Sequence, residues 1–240
     1  MTGCSLLYHL GLHPAMKGGK YLLAEKGELA SGATWHAAGL VTYYHGGNNF
    51  RFWHQETVDL FKKWQSEGTQ LSFHTPGSIR LMESTERMDE AWHQYEKSKL
   101  YQKLFDGPEI HMIGMDEVKK LHPMVDTQNY VGALYTEGDG HIDPSSVTQK
   151  YAEDAKKNGG QVARFTEVTS LKQLDSGHWE AILTQRDGSE HKVKADFVIN
   201  AAGLWCDRLG NMAGITTPSV VLQHQYVITE TIPEVKELKK

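Results

Sequence analysis

Apolar and polar positions along the chain change period repeatedly, from helical spacing to strand-like runs and back. Leu6, Leu7 and Leu10 have helical spacing and predict a short helix over about 4–12. The run Tyr21-Leu22-Leu23-Ala24, bounded by Gly18-Gly19 and Glu25, predicts a buried strand. Trp53, Thr57, Leu60, Phe61 and Trp64 share one face of a helix over 49–65. After the Pro76-Gly77 turn, residues 78–81 alternate as a half-buried strand, and Met88, Ala91, Trp92 and Tyr95 mark another amphipathic helix. Asp116 is the predicted N-cap of a short helix ending before Pro123. Asp143-Pro144 predicts a cap followed by proline at the first helical position, and Gly159-Gly160 the end of that helix.

The last third is strand-rich. Residues 161–165, 169–174, 178–184 and 191–194 are short runs, with Asp187-Gly188 as the hairpin turn. Residues 196–200 predict a strongly apolar strand leading into Ala201-Ala202-Gly203 and a helix from Trp205, and 220–227 read as a further strand. This order predicts an α/β nucleotide-binding domain with an inserted region.

Composition narrows the classes. The chain has 240 residues, 39% apolar and 23% charged, which suits one large domain or two small ones and excludes a disordered or collagen-like chain. The net charge is −5 without a long run of one sign, so no basic face for nucleic acid is expected. Two cysteines, Cys4 and Cys206, cannot build a disulfide framework or a cysteine zinc site, and a reducing compartment fits. No stretch approaches the ~18 apolar residues of a membrane span. The first residues read as neither signal nor transit peptide, and the chain reads as starting inside a folded unit.

Several residues have the type and spacing for chemistry. Gly3 opens a helix and Glu25 closes the next strand, as the last glycine and the ribose-binding acid of a dinucleotide fold do. The pair alone equally describes a helix, a turn and a solvated glutamate. Gly32, Ala33, Thr34, Trp35, His36, Ala37, Ala38, Gly39 and Leu40 set a Trp-His pair among small residues that allow close backbone approach to a ligand. His36 is open there to a structural or a functional reading. His224 lies among apolar residues, where a sheet could satisfy it. His9 and His13 have metal spacing but lack a third ligand.

Five strings carry a resemblance. Glu28-Leu29 with SGATWHAAGL (31–40), HTPGSIRL (74–81), GDGHIDP (138–144), INAAGLW (199–205) and QHQYVIT (223–229) resemble the mitochondrial dimethylglycine dehydrogenase and sarcosine dehydrogenase family, in its order. The second and third strings favour the dimethylglycine branch. The resemblance implies an FAD-binding Rossmann-like domain with an incomplete first βα unit and an inserted antiparallel substrate-side sheet. FAD-binding parts are expected at about 1–48 and 145–215, and substrate-side parts at about 49–144 and 216–240. Residues 21–24 and 197–199 should be parallel strands of one sheet, and 78–81 and 220–228 should join the other.

The resemblance also implies roles. His36 matches the histidine that carries FAD covalently, and Glu25 and Lys26 match the ribose-binding strand end. Residues 32–40 match the loop around pyrophosphate and flavin. Val168 matches a residue whose backbone meets the adenine, and Trp205 follows a second FAD-contacting turn. His224 matches a substrate-side residue that takes up the amine proton. The implied reaction oxidises dimethylglycine to sarcosine in the mitochondrial matrix and passes electrons to an electron-transferring flavoprotein. Alternatives are a sarcosine dehydrogenase and a non-catalytic, truncated or regulatory relative. The first strand and first two glycines of GxGxxG are absent, and about three extra residues lie near 14–19. The family continues beyond QHQYVIT into a tetrahydrofolate-binding half. The chain is therefore expected to be a fragment, inactive alone.

Overall fold

The computed structural model describes residues 1–45, 47–105 and 107–238. In chain order, α1 (Thr2–Leu12) leads through a 3-10 turn at Pro14–Met16 to β1 (Tyr21–Ala24). Then come β2 (Leu40–Val41), α2 (Asn48–Ser66), β3 (Ser78–Met82), α3 (Thr85–Phe105), β4 (Ile110–Ile113), α4 (Met115–Leu121), β5 (Gly132–Thr136) and β6 (Gly140–His141). The last elements are α5 (Pro144–Lys157), β7 (Gly160–Ala163), β8 (Thr166–Gln173), β9 (Trp179–Gln185), β10 (Glu190–Ala195), α6 (Cys206–Met212) and α7 (Pro233–Glu237). The chain forms two compact units, residues 1–37 with 144 onward, and residues 38–143.

In the first unit β1 and β7 run parallel, with Tyr21 opposite Gly160. Cys4, Leu7 and Tyr8 form the buried stripe of α1, and Val147, Tyr151 and Ala155 that of α5. Tyr8 and Tyr151 meet edge-on at 5.5 Å. Burying aliphatic side chains such as Leu7 and Val147 contributes about 1.5–3 kcal/mol each. A Cβ on Gly160 would lie 3.0 Å from both Leu7 Cγ and the Ala155 carbonyl oxygen, so this helix–strand junction requires a small residue. β8, β9 and β10 form an antiparallel meander over Leu171, Ala181 and Leu183, with Leu209 and Met212 of α6 packed against it. Gly188 takes the left-handed conformation the β9–β10 turn needs, φ +85°.

The second unit is built on an antiparallel sheet of order β3-β5-β4. Met82, Ala91, Ile110, Leu134 and Tyr43 form its core. β2 pairs with β6, and His74 bridges to His141. Among the described residues, two charged side chains are buried here. Arg51 donates to the His45 carbonyl and, through Nη2, to Gln94 Oε1 at 2.6 Å. Asp139 Oδ1 accepts from the Tyr43 N–H at 2.6 Å and Oδ2 from the Ser78 hydroxyl.

The structure corrects three expectations. Residues 197–199 form no strand, and Phe197 is 83% exposed. A strand exists only through a neighbour, and β1 takes β7 as its partner among the described residues. The chain turns here instead, as Asn200 accepts from the Ala202 N–H and donates to the Cys206 carbonyl. Residues 220–228 likewise carry no ladder, and Val227 is 87% exposed. Gly114, not Asp116, is the N-cap of α4, while Asp116 sits in the first turn and favours the helix dipole from there.

Candidate functional site

The end of β1, the start of α1, the turn before α6 and the loop after β1 converge in the first unit. Gly3 lets α1 come close, since a Cβ there would lie 2.8 Å from Leu23 Cδ1 and 3.6 Å from Ala201 Cβ. The neighbouring Cys4 packs in the buried stripe of α1, and that burial pushes its thiol above its usual value, with the N-terminal charge opposing. Glu25 Oε1 accepts from the Gly27 N–H at 2.8 Å. Its second oxygen engages no hydrogen-bond donor among the described residues and can accept from a diol. The Lys26 ammonium stands over the Trp205 ring, 3.3 Å from its centre. Gly32 lies on the same indole, where an added Cβ would be 3.5 Å from the ring edge.

The small-residue loop closes the group. Thr34 Oγ1 accepts from the Met1 nitrogen at 3.2 Å, which links the loop to the start of α1. The Trp35 N–H donates to the Ala30 carbonyl and the Ala37 N–H to the Thr34 carbonyl, giving a coiled segment in which Ala33 and Ala37 are exposed. His36 is also exposed, with its ring 4.0 Å from that of Trp35. Its Nδ1 lies 3.2 Å from the Gly32 carbonyl oxygen. A carbonyl can only accept, so Nδ1 carries the hydrogen in this contact, and in the neutral ring Nε2 is then the nitrogen with the lone pair.

Gly3, Glu25, Lys26, Gly32, Thr34, His36 and Trp205 are thus joined by packing or hydrogen bonds into one region. Val168 lies in β8 opposite Leu183 and packs on the meander core. Ala38, Gly39 and Leu40 belong to the second unit, where Gly39 has φ +69° and accepts from the Ile142 N–H. His224 is exposed on a segment without secondary structure and takes no part in these contacts. Asp139 and Arg51 were not read from the sequence as structural anchors. The two glycines flanking Asp139 were the available signal, whereas nothing in the helical pattern of α2 marks Arg51 as buried.

The family model described as FAD dependent oxidoreductase matches residues 1–240. Dimethylglycine dehydrogenase, mitochondrial, of Rattus norvegicus is 40% identical over 242 residues, covering 100% of this chain and 26% of that protein. Sarcosine dehydrogenase, mitochondrial, of Homo sapiens is 28% identical over 238 residues, covering 98% of this chain and 25% of that protein. The chain spans about a quarter of the length of these relatives. The crystal structure of L-proline dehydrogenase from P. horikoshii matches with a TM-score of 0.71 and 24% identity, covering 89% of this chain and 53% of its own. That likeness concerns the fold alone. No helix among the described residues is long and apolar enough to cross a membrane.

Proposed function

Because the chain belongs to the FAD dependent oxidoreductase family, we propose that it forms part of a flavin-dependent N-methyl amine dehydrogenase acting on dimethylglycine. The observation that carries the substrate is 40% identity along the whole chain to a dimethylglycine dehydrogenase, against 28% to a sarcosine dehydrogenase. Water adding to the iminium left by hydride loss would release the methyl carbon as formaldehyde and give sarcosine. The electron acceptor would be an electron-transferring flavoprotein and the compartment the mitochondrial matrix. A tetrahydrofolate site would belong to sequence outside these residues.

The residues fit FAD. The close approach at Gly3, the unused Glu25 oxygen and the small residues of the loop suit a pyrophosphate, a ribose and a planar ring. Glu25 would hold the ribose hydroxyls, with Lys26 beside it, and the backbone of Val168 would meet the adenine. Residues 32–40 would surround the pyrophosphate and flavin, with Trp205 supporting Gly32. A bound FAD would supply the two-electron acceptor for hydride loss from the N-methyl carbon.

His36 would be the covalent anchor, through Nε2, because the Gly32 carbonyl occupies Nδ1. His224 would accept the substrate ammonium proton, since only the neutral amine has the lone pair that supports hydride loss. The test is substrate-dependent dye reduction by the complete gene product. Dimethylglycine should be oxidised with a higher kcat/KM than sarcosine, and the reverse order would overturn the substrate assignment.

A further inference from the structure

The β4–β5 pair in the second unit brings one imidazole and two carboxylates together. His111 lies opposite Tyr135, and Glu109 and Glu137 sit just beyond the paired segment, where the Glu137 N–H donates to the Glu109 carbonyl at 3.1 Å. This register places His111 Nε2 3.1 Å from Glu137 Oε1 and 3.6 Å from Glu109 Oε2. One ligand atom from each residue lies within 4.8 Å of the other two. The Tyr135 ring lies beside the imidazole, 6.2 Å between ring centres and inclined by 25°.

The charge balance points to a cation. Two carboxylates held across neighbouring strands repel. Among the described residues no lysine or arginine pairs with either, and the imidazole is their shared partner. An imidazole balances them only when protonated, whereas a divalent cation would do so with the ring neutral. We propose that Glu109, His111 and Glu137 form a site for a divalent transition-metal cation of the zinc class. One nitrogen and two carboxylate oxygens suit Zn²⁺ or Co²⁺, while Mg²⁺ and Ca²⁺ favour shells of oxygen alone. The side chains are 39–60% exposed, which leaves a coordination position for water. β4 is an edge strand and β5 the central one, so the ion would add a bridge at one end of a strand pair already joined by hydrogen bonds.

The test titrates the 240-residue chain with ZnCl₂ against a chromophoric chelator and follows its melting with and without zinc. Zinc should compete at one site per chain and raise Tm, as any ligand of the folded state does. MgCl₂ at the same concentration should not. His111→Ala should weaken zinc binding about tenfold or more and remove the Tm increase. Glu109→Gln and Glu137→Gln should each weaken it too, and all three exposed variants should melt normally without metal. His9→Ala, which breaks the His9/His13 pair, should bind zinc as the unaltered chain does. Zinc binding unchanged by His111→Ala, or lost in His9→Ala, would overturn the assignment, as would failure of the unaltered chain to compete with the chelator.

Discussion

The Lys26 ammonium lies 3.3 Å from the centre of the Trp205 ring, tying the residue just beyond β1 to the turn before α6. Trp205 is 41% exposed, so solvent screens the contact and its worth is about 0.5–1 kcal/mol. A double-mutant cycle of Lys26→Ala and Trp205→Leu in urea should give a coupling energy of that size. Strict additivity of the two changes would remove the cation–π reading.

His36 is expected to hold flavin covalently. Acid-precipitated, denatured gene product should stay yellow and fluorescent, and His36→Ala should release its flavin on denaturation. The fold should survive because the exposed ring packs no core. Substrate oxidation should slow more than substrate binding weakens. Flavin retained by the denatured variant would place the anchor elsewhere.

The legible parts of this chain were those whose signals are local. The apolar run at 21–24, the Asp187-Gly188 turn and the Asp143-Pro144 start each carry their own cue, and each appears as an element or its boundary. Residues 197–199 and 220–228 have an equally apolar pattern yet form no ladder, because a pattern states capacity and a partner supplies the hydrogen bonds. Register was also beyond reach. Glu109 and His111 are two apart, one just before β4 and one within it, but only the pairing of β4 with β5 delivers Glu137 to them. At the candidate site, Gly3 and Glu25 were visible by spacing, whereas the indole beneath Gly32 comes from a residue 173 positions later in sequence.

The GDGHIDP string has a structural reason for its small and acidic residues. A Cβ on Gly140 would fall inside the van der Waals radius of the His74 carbonyl oxygen and 2.9 Å from Thr75 Cα, and backbone cannot swing aside as a side chain does. Gly140→Ala should cost about 3 kcal/mol in chemical denaturation. Asp139→Ala should cost a similar amount, about 2–4 kcal/mol, because it strands the buried Tyr43 N–H and the Ser78 hydroxyl. Losses below about 0.5 kcal/mol for both would mean that this junction yields readily.

The acid limb of stability should depend on His54. Burial pushes its imidazole below the usual 6.5, and the Asp139 carboxylate opposes that only in part. The folded state therefore resists a proton that the unfolded chain accepts near pH 6.5. Between that pH and the lowered folded value the unfolded state binds more protons, so stability rises with pH. The contribution is complete above about pH 6.5, erodes as pH falls through this window, and stops changing below the folded value. Burial lowers His9 in the same direction, so some slope must persist without His54. His54→Phe keeps an aromatic ring of similar size against Tyr43, whose ring lies 5.4 Å away, and removes the titrating group. Urea midpoints at pH 7.5 and 5.5 should separate less in His54→Phe than in the unaltered protein. An equal separation would show that His54 takes up its proton as readily folded as unfolded.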